Sequence, residues 1–444
     1  EDSGADTIIC HDFLWEKIEK IGVKLKRVIS VNISDSLPAI KRLAGKTILR
    51  AVYQKMAFTS YELPGGDGFY RYRDLIKQYP PAPPKVEINP KEDPAILPYT
   101  GGTTGRPKGV IITHQGMIAA DAQTHDYYPF EDGKETILGY MPFYHIGGFL
   151  WSCGIAMLRG YTQVILTTPQ LDDIVNGIIG YKVTWLVGAP SLFEMLKDFP
   201  KAHKVKWKKL KWIASGADAL HDATAKDWEA RTGVVLENWW GSTETNAAIM
   251  TPIGKGKFGS IGIPIPGTLA AIIDPEKDEF MPVGEVGEIA VIGPQVMHGY
   301  WKNPEALKEC QAVINGKAWF RSGDLGRMDE DGQFFIYDRV RDLIKYKGLR
   351  VHSKEVEDVI KNHPRVREVG VIGLHDRLVG QNIKAFVVLE ADARGKIPEK
   401  EIVEYCKDKL SHYKIPKMIE FVGELPKTDV GKISRRELRE MEEE

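Results

Sequence analysis

Apolar and polar positions form two kinds of segment along the chain up to about residue 300. The runs "TWLVGAP", "LKWIASG" and "VVLENWWGS" are continuously apolar at their centres, whereas "SLFEMLKDF" and "ALHDATAKDWEA" repeat apolar residues at helical spacing. Short continuous runs predict buried strands, and the helical spacing predicts amphipathic helices. Their alternation predicts an α/β fold of stacked, mostly parallel sheets, with functional loops at the strand carboxyl ends.

The pattern changes twice toward the carboxyl end. Glycine and proline become denser in "GSIGIPIPGT" and "FMPVGEVGEIAVIGP", which predicts a β-rich subdomain with tight turns. The segments "SKEVEDVIKNHP", "VGVIGLHD", "KAFVVLEAD" and "EIVEYCKDKLSHYK" then predict a small α+β unit. Because 444 residues exceed one ordinary core, we expect a large domain over residues 1–337 and a small domain over residues 338–444.

Two further segments invite a membrane or surface interpretation. The charge-free stretch "IGGFLWSCGIAML", Ile146 to Leu158, is shorter than the roughly 20 residues that span a bilayer, so it predicts a buried helix. The run "KAHKVKWKKLKW", Lys201 to Trp212, alternates lysine with apolar residues, which is more typical of a solvated strand or helix edge than of a site for an anionic partner.

Charge and cysteine content narrow the classes of partner. The chain has 60 Lys and Arg against 61 Asp and Glu, a net charge of -1, which gives no general attraction to nucleic acid or to an anionic membrane. Its 4 cysteines lie far apart without zinc spacing, as is typical of a reducing compartment, and we expect a cytoplasmic protein. Peripheral membrane contact and the oligomeric state stay open, a dimer being one alternative.

The stretch "YTGGTTGRPKGV", Tyr99 to Val110, has the composition of a phosphate-binding loop. Glycines let backbone N–H groups converge on phosphate oxygens, the threonines add hydroxyls, and Arg106 and Lys108 add positive charge. It is not a Walker A loop, because Pro107 interrupts the place where the helix should begin. Taken alone, the loop is equally compatible with an ordinary surface turn.

Four later motifs follow this loop in order: "WWGSTE", "RSGDL", "DRVRDLIKYKGLRV" and "PKTDVGKI". Together the five motifs resemble those of the adenylate-forming (ANL) superfamily, which includes AMP-forming acyl-CoA synthetases such as fatty-acid–CoA ligases, coumarate–CoA ligases, beetle luciferases and peptide-synthetase adenylation domains. The opening "EDSGADTIICHDF" resembles a segment roughly a hundred residues into the family's large domain. We therefore expect the family's N-terminal segment to be missing from this sequence.

The resemblance assigns ATP, Mg²⁺ and a nucleotide site. Glu244 follows an apolar strand and is expected to hold Mg²⁺ with Thr100, as oxygen ligands suit this ion. Trp240 stands where the family usually has a tyrosine against adenine, and its indole offers the same flat surface. The remaining ATP- and AMP-binding positions implied by the family are Gly101, Gly102, Thr103, Thr104, Gly105 and Lys108 around the phosphates, Gly216, Ala217 and Asn238 beside adenine, Thr243 at the α-phosphate, and Asp324 and Arg339 at the ribose.

Two residues are expected to act on the acid. Lys432 matches the family's catalytic lysine, whose mobile ammonium neutralises charge that builds up when a carboxylate attacks the α-phosphorus. His145 resembles the residue that lies beside the carboxylate and gates the acyl pocket, although a hydrogen-bonded core histidine is the alternative. Tyr144 stands where amino-acid-activating relatives place an aspartate, so an α-amino acid substrate is not expected.

The motif "DRVRDLIKYKGLRV" implies a second reaction step. In the family it is a hinge, at residues 338–342 here, about which a mobile small domain turns after adenylation. Arg341 stands at the hinge position, where aspartate or lysine is more usual. Lys345, Gly348 and Arg350 fall in the loop that enters the site for thioester formation, with glycine leaving room for the pantetheine arm of coenzyme A.

The resemblance implies an AMP-forming acid–CoA ligase that uses a small-molecule acid, ATP and CoA. The apolar segment after His145 favours a medium- or long-chain fatty acid. An aryl-acid, coumarate-like ligase is the nearest alternative. A luciferase-like or stand-alone adenylating enzyme without CoA transfer, and a nucleotide-binding relative without catalysis, are further alternatives.

Overall fold

The computed structural model describes residues 2–46, 66–100, 107–166, 170–218, 220–427 and 433–442. Several predicted site residues lie outside these ranges: Gly101, Gly102, Thr103, Thr104, Gly105 and Lys432. The backbone of Arg341 is described and its side chain is not.

Strands and helices alternate in the parallel part of the described chain, whereas strands follow one another directly between residues 237 and 300. The strands are β1 (Thr7–His11), β2 (Arg27–Val31), β3 (Phe69–Arg71), β4 (Pro94–Ile96), β5 (Tyr99–Thr100), β6 (Lys108–Thr113), β7 (Thr136–Gly139), β8 (Thr162–Ile165), β9 (Trp185–Gly188), β10 (Trp212–Ser215), β11 (Glu237–Ser242), β12 (Asn246–Met250), β13 (Ser260–Pro264), β14 (Leu269–Ile273), β15 (Gly287–Ile292), β16 (Gly299–Tyr300), β17 (Gln311–Ile314), β18 (Lys317–Met328), β19 (Phe334–Arg339), β20 (Ile344–Tyr346), β21 (Leu349–Val351), β22 (Val366–Asp376), β23 (Gly380–Leu389) and β24 (Met418–Phe421). The α-helices are α1 (Trp15–Ile21), α2 (Ala39–Lys46), α3 (Tyr72–Gln78), α4 (His114–Tyr127), α5 (Ile146–Gly148), α6 (Ile155–Arg159), α7 (Leu171–Tyr181), α8 (Pro190–Asp198), α9 (Asp222–Thr232), α10 (Pro304–Glu309), α11 (Ser353–Lys361), α12 (Glu399–Lys407) and α13 (Arg435–Glu440).

The chain divides into two compact units, Glu1–Ile88 and Asn89–Glu444. In the first unit β1, β2 and β3 form a parallel sheet in that order. The second unit contains the remaining sheets and both cavities described below. This division does not test the boundary expected near Asp338, which stays a prediction.

The largest sheet of the second unit joins a parallel half to an antiparallel half. Its order is β14-β15-β18-β19-β13-β12-β11-β10-β9-β7-β8, with β17 added beside β18. Strands β7 to β11 pair parallel, and the strands from β11 through β15, β18 and β19 pair antiparallel. The predicted α/β fold is therefore confirmed, and so is the β-rich region after it.

The central parallel strands β9 and β10 are buried on both faces, which explains their continuous apolar sequences. Trp185 and Trp212 pack on one face, in a cluster with Trp151. Leu186 and Ile213, the next residues along the same strands, pack on the other face against the helices. Burying such an aliphatic side chain contributes about 1.5–3 kcal/mol. Strand and helix positions in this region thus follow directly from the hydrophobic pattern.

The segment "IGGFLWSCGIAML" forms the expected helix, with one irregular turn. Helices α5 and α6 are joined by a π-helical segment, Phe149–Gly154, whose Leu150 and Trp151 are buried. Gly148 is required at the start of this segment, because a Cβ there would lie 2.1 Å from the Pro142 carbonyl oxygen. In the described residues, no helix combines the length and the apolar character needed to cross a membrane.

The lysine-rich run is solvated, as expected, but it is neither a regular strand nor an α-helix edge. It forms short 3₁₀ segments, Pro200–Lys204 and Trp207–Lys209, in which Val205 and Trp207 are buried. The apolar residues anchor the turns to the helical layer while the lysines between them stay exposed.

The last hundred residues form the expected small α+β arrangement. Its sheet has the order β21-β20-β23-β22, with β24 parallel to β23. Helices α11 and α12 pack on this sheet through buried residues such as Val356, Ile360 and Ile402.

Candidate active site

Two cavities lie at the carboxyl ends of the central parallel strands. Gly188 and Ala189 at the end of β9 line one of them, and Ser242 to Glu244 after β11 line the other. Ala217, just after β10, lines both. In parallel sheets this edge is where loops from several strands converge on a ligand.

The first cavity, here called the nucleotide cavity, has a volume of about 630 Å³ and a lining rich in polar side chains. It brings together residues that are widely separated in the sequence. The predicted site residues in its lining are Thr100, Lys108, His145, Ala217, Thr243, Glu244, Asp324 and Arg339.

The Asp324 carboxylate is fixed at the wall of the nucleotide cavity by two partners. The Trp240 indole N–H donates to its Oδ2 at 2.8 Å, and Arg339 Nε lies 3.3 Å from its Oδ1. Asp324 and Arg339 are opposite each other in the antiparallel pair of β18 and β19, which keeps them adjacent. A carboxylate held in this way presents its remaining lone pairs in a fixed direction, as recognition of neighbouring hydroxyls requires.

Glu244 is held in the same cavity by a phenol. The Tyr300 hydroxyl donates to Glu244 Oε1 at 3.0 Å, and Lys108 Nζ lies 5.2 Å from the centre of the Tyr300 ring. Burial, together with the Glu244 charge, raises the pKa of Tyr300, so its hydroxyl keeps its proton and remains a donor. The turn that carries Glu244 is closed by Ser242, whose Oγ accepts from the Glu244 N–H at 3.2 Å.

These residues fit a magnesium ion bound mainly through a nucleotide. Mg²⁺ in nucleotide sites uses one or two protein oxygens and takes its other ligands from phosphates and water. Glu244 and Thr100 both line the nucleotide cavity and supply such oxygens. Within the described ranges no group of three or more His, Cys, Asp or Glu is arranged to hold a metal.

Three predicted adenine-side residues stand behind the cavity wall. Asn238 is buried, and its amide donates to the Ser260 carbonyl oxygen at 3.3 Å. Gly216 is covered by the Trp239 ring, and a Cβ on Gly216 would lie 2.2 Å from that ring. Trp240 is 5% exposed and contacts Asp324 through its indole N–H. In this structure Trp240 therefore holds the Asp324 carboxylate in the cavity wall, and its stacking on adenine stays a prediction.

The second cavity, here called the acid cavity, has a volume of about 740 Å³ and a mainly apolar lining. His145 stands at its edge, where its Nδ1 accepts from the Gly147 N–H at 3.2 Å and begins α5. The apolar side chains come from the loop before His145, from the end of β8 and from α7 and α8. They include Met141, Pro142, Phe143, Ile165, Leu166, Leu171, Ile174, Leu192 and Met195.

The residues predicted for the second step lie on a hairpin. Lys345 and Arg350 are paired across β20 and β21, and the connecting residues Lys347 and Gly348 both have positive φ, at 50° and 78°. A two-residue turn of this kind favours glycine. Lys345, Gly348 and Arg350 are exposed, and Arg350 Nη2 lies 3.7 Å from Glu276 Oε1. The structure does not bring these residues into the lining of the nucleotide cavity.

The expected hinge segment is anchored by arginines of the C-terminal helix. Arg439 Nη2 lies 2.6 Å from Asp342 Oδ1. Arg435 Nη2 lies 2.8 Å from Glu357 Oε2, and Arg435 Nη1 lies 3.7 Å from Asp342 Oδ2. Asp338 accepts from the Ser353 hydroxyl at 2.6 Å. The carboxylates on both sides of Arg341 are therefore fixed by ion pairs or hydrogen bonds.

Sequence reasoning missed three residues at the cavities: Tyr300, Cys310 and Trp239. Tyr300 follows the β-rich region and meets Glu244 across 56 positions, which no local pattern reveals. Burial, with the Glu244 charge, raises the pKa of the Cys310 thiol to about 11, so it stays a neutral wall residue. Trp239 was visible as the first half of a tryptophan pair on a strand, where neighbouring side chains face opposite sides.

Comparison with protein families gives matches to two models that together cover most of the chain. The model described as AMP-binding enzyme matches residues 1–301, and the model described as AMP-binding enzyme C-terminal domain matches residues 355–432. The first match alone covers more than half of the chain. The second falls in the region where the small α+β arrangement is found.

Individual relatives agree with the family matches. The chain is 34% identical to a long-chain-fatty-acid–CoA ligase of Escherichia coli O6:H1, covering 99% of this chain and 77% of the relative. It is 35% identical to a ligase of the same name from Bacillus subtilis, over 100% of this chain and 78% of the relative. A probable 4-coumarate–CoA ligase 1 of Dictyostelium discoideum is 34% identical over 80% of this chain and 65% of the relative.

Solved structures share the fold. ATP-bound MatB from Rhodopseudomonas palustris is 26% identical, with a TM-score of 0.78 over 99% of this chain and 80% of that one. A benzoate CoA ligase from Burkholderia xenovorans, 23% identical, has a TM-score of 0.77 over 99% of this chain and 80% of that one, and supports the fold alone. The chain belongs to the AMP-binding enzyme family, the adenylate-forming enzymes that its five motifs resemble.

Proposed function

We propose that this protein activates a medium- or long-chain fatty acid with ATP and transfers the acyl group to coenzyme A. The products are acyl-CoA, AMP and pyrophosphate. The enzyme class, an AMP-forming acid–CoA ligase, rests on the family and on the names of its relatives. The fatty acid is the finer part of the proposal, and a cytoplasmic location, from the cysteine spacing, belongs to it as well.

One observation carries the proposal: a polar cavity of about 630 Å³ meets an apolar cavity of about 740 Å³ at a shared wall. ATP suits the polar cavity because Lys108, Glu244 and Asp324 offer partners for phosphates, a metal ion and hydroxyls. An aliphatic tail suits the apolar cavity, since burying each CH₂ contributes about 0.8 kcal/mol. The carboxylate of a bound acid would then face the α-phosphate.

In the first step a carboxylate oxygen attacks the α-phosphorus of ATP, and the bond from that phosphorus to pyrophosphate breaks. Asp324, held by Trp240 and Arg339, fixes the ribose, and Thr243 contacts the α-phosphate. Glu244 and Thr100 would hold Mg²⁺, which would supply positive charge for the leaving pyrophosphate. Lys432 neutralises charge on the attacking and leaving groups.

In the second step the thiolate of coenzyme A attacks the acyl carbonyl carbon, and AMP leaves. AMP is a far better leaving group than the oxide that a free carboxylate would have to lose. We propose that residues 338–444 turn about the segment 338–342 between the steps, bringing the hairpin of Lys345, Gly348 and Arg350 to the cavity. Arg341 lies within that hinge.

The second candidate function is an aryl-acid–CoA ligase. It is favoured by one relative, whose name is probable 4-coumarate–CoA ligase 1. An adenylating enzyme without CoA transfer would share the first step and lack the second.

A panel of acids tests the proposal. Release of pyrophosphate and AMP, and formation of the thioester, are measured with straight-chain acids of increasing length and with benzoate and cinnamate. Turnover highest with fatty acids and dependent on CoA supports the proposal. Highest turnover with aryl acids supports the second candidate, pyrophosphate release without thioester supports an adenylating enzyme, and no release with any acid overturns the ligase assignment.

A further inference from the structure

The nucleotide and acid cavities are joined at a narrow set of residues. Four residues line both cavities: His145, Gly147, Ala217 and Trp239. If the acid lies in one cavity and the α-phosphate in the other, the carboxylate must pass between these residues. The carbons next to the carboxylate, C2 and C3, then lie at the same place.

Trp239 is the bulkiest of the four, and its position is fixed by packing. It is 7% exposed, and its ring lies 5.6 Å from the Trp151 ring in a tilt of 63°. The indole also covers Gly216, where a Cβ would come within 2.2 Å of the ring. The absence of a side chain at Gly216 therefore leaves room for the indole in this position.

Packing contacts, and not a side-chain hydrogen bond, hold the Trp239 side chain in place among the described residues. The Trp239 indole nitrogen is buried and has no hydrogen-bond partner among the described residues. Substitution by an apolar residue therefore breaks no hydrogen bond. On the side of the passage formed by His145, the ring accepts a hydrogen bond from the Gly147 N–H at the start of a buried helix.

We propose that Trp239 is a specificity-determining residue that selects acids by their width at C2 and C3. A methylene chain passes beside the indole, whereas a ring or a branch next to the carboxylate meets it. The inference rests on the proposed function and deepens it, because Trp239 then favours straight-chain fatty acids over aryl and 2-branched acids. The length of the acid is set elsewhere, by the apolar lining of the acid cavity.

The test compares kcat/KM for a straight-chain acid, for 2-methyl-branched acids and for benzoate in the wild type, in Trp239→Leu and in Trp239→Ala. We expect the ratio of benzoate to straight-chain kcat/KM to rise about tenfold or more in Trp239→Ala, and less in Trp239→Leu, since steric fit in an apolar pocket is worth roughly 10–200-fold. The KM for ATP should change less than this ratio, because the polar residues Thr243, Glu244 and Asp324 of the nucleotide cavity are left in place.

Trp212→Leu is the matched control. Trp212 packs against Trp151 at 5.3 Å in the same aromatic cluster but is not in the lining of either cavity. An equal rise of the ratio in Trp212→Leu, or an unchanged ratio in a folded Trp239→Leu, overturns the inference while the proposed function stands. A wild type that prefers benzoate overturns both, and absence of pyrophosphate release with every acid overturns the proposed function first.

Discussion

The nucleotide cavity and the acid cavity are built by different physical means. Polar side chains of the nucleotide cavity are fixed in pairs across distant strands, as Trp240 with Asp324 and Tyr300 with Glu244. The acid cavity is shaped mainly by apolar side chains from loops and helix faces, such as Phe143, Ile165 and Met195. Hydrogen-bonded pairs tolerate few residue types, whereas apolar packing tolerates many of similar volume. The residues of the nucleotide cavity are therefore restricted to few types, whereas the residues that line the acid cavity can be exchanged for others of similar volume.

The largest effect is expected for Lys432→Ala, which removes the ammonium group that the proposed function assigns to the adenylation step. Adenylate formation should fall by about 10²–10³-fold, as for the loss of one group that stabilises a transition state. ATP binding, measured by calorimetry, should be retained. Lys427→Ala is the control, because Lys427 pairs with Glu368 at 2.8 Å in the same segment. Comparable losses in both variants would contradict a catalytic role for Lys432.

A smaller effect, confined to the nucleotide side, is expected for Trp240→Phe. Losing a hydrogen bond to the Asp324 carboxylate costs about 1.5–3 kcal/mol, so the KM for ATP should rise roughly tenfold or more. The KM for the acid should not change. With ATP lacking a ribose hydroxyl, wild type and variant should become similar, because Asp324 then has no hydroxyl to hold.

Trp319→Phe supplies the control for that change. Trp319 is buried, and its indole nitrogen has no hydrogen-bond partner in the described part of the chain, so the same substitution removes no hydrogen bond. If Trp319→Phe raises the KM for ATP as strongly as Trp240→Phe does, the bond to Asp324 is not the cause.

An effect on the KM for the acid, and not on the KM for ATP, is expected for Gly188→Ala in the acid cavity. A Cβ at Gly188 would lie 2.5 Å from the Tyr140 hydroxyl and 2.7 Å from Leu192 Cδ2, so these two residues of the cavity lining must shift. Overpacking of this kind costs about 1–3 kcal/mol, and we expect the KM for a long acid to rise up to tenfold with the KM for ATP unchanged. Gly180→Ala, on the neighbouring helix with nothing within 4 Å of its Cβ, should leave both values unaltered.

The smallest effect on activity is expected for Glu237→Gln, which affects stability instead. Burial raises the pKa of Glu237 from 4.5 to about 7, and only the Gly254 N–H bond, at 3.0 Å, opposes it. The unfolded chain loses this proton near pH 4.5, so the folded state binds more protons between pH 4.5 and 7. Stability therefore falls as pH rises through that window, by about 3 kcal/mol in total.

Glu237→Gln should remove this contribution. Urea unfolding at pH 5 and pH 8 should show a smaller loss of stability at pH 8 in the variant than in the wild type. The two cavities should keep their KM values, since Glu237 is not in the lining of either one. An unchanged pH dependence would show that Glu237 is ionised throughout this range.

The sequence predicted more of the nucleotide cavity than of the acid cavity. Thr243 and Glu244 reach the nucleotide cavity because their motif marks a strand end, and the ends of parallel strands meet at one edge of a sheet. Asp324 and Arg339 lie instead opposite each other in an antiparallel pair, and only the resemblance to the family placed them at the same site. Trp240 was recognised, but its partner depends on the pairing of distant strands, so its bond to Asp324 could not be anticipated. The acid cavity was anticipated only from His145 and the helix after it, because its other walls are ordinary apolar residues whose positions depend on packing.

Strand β11 carries adjacent residues whose side chains face opposite sides of the sheet. Trp239 lies at the shared passage, and its neighbour Trp240 binds Asp324. With the proposed role of Trp239, a single codon change at position 239 changes which acids the enzyme accepts and leaves the polar residues of the nucleotide cavity unchanged. An inserted or deleted residue in the same strand would exchange the two faces and disable both at once. Descendants of such an enzyme are thus expected to diversify by substitution in this strand rather than by changes in its length.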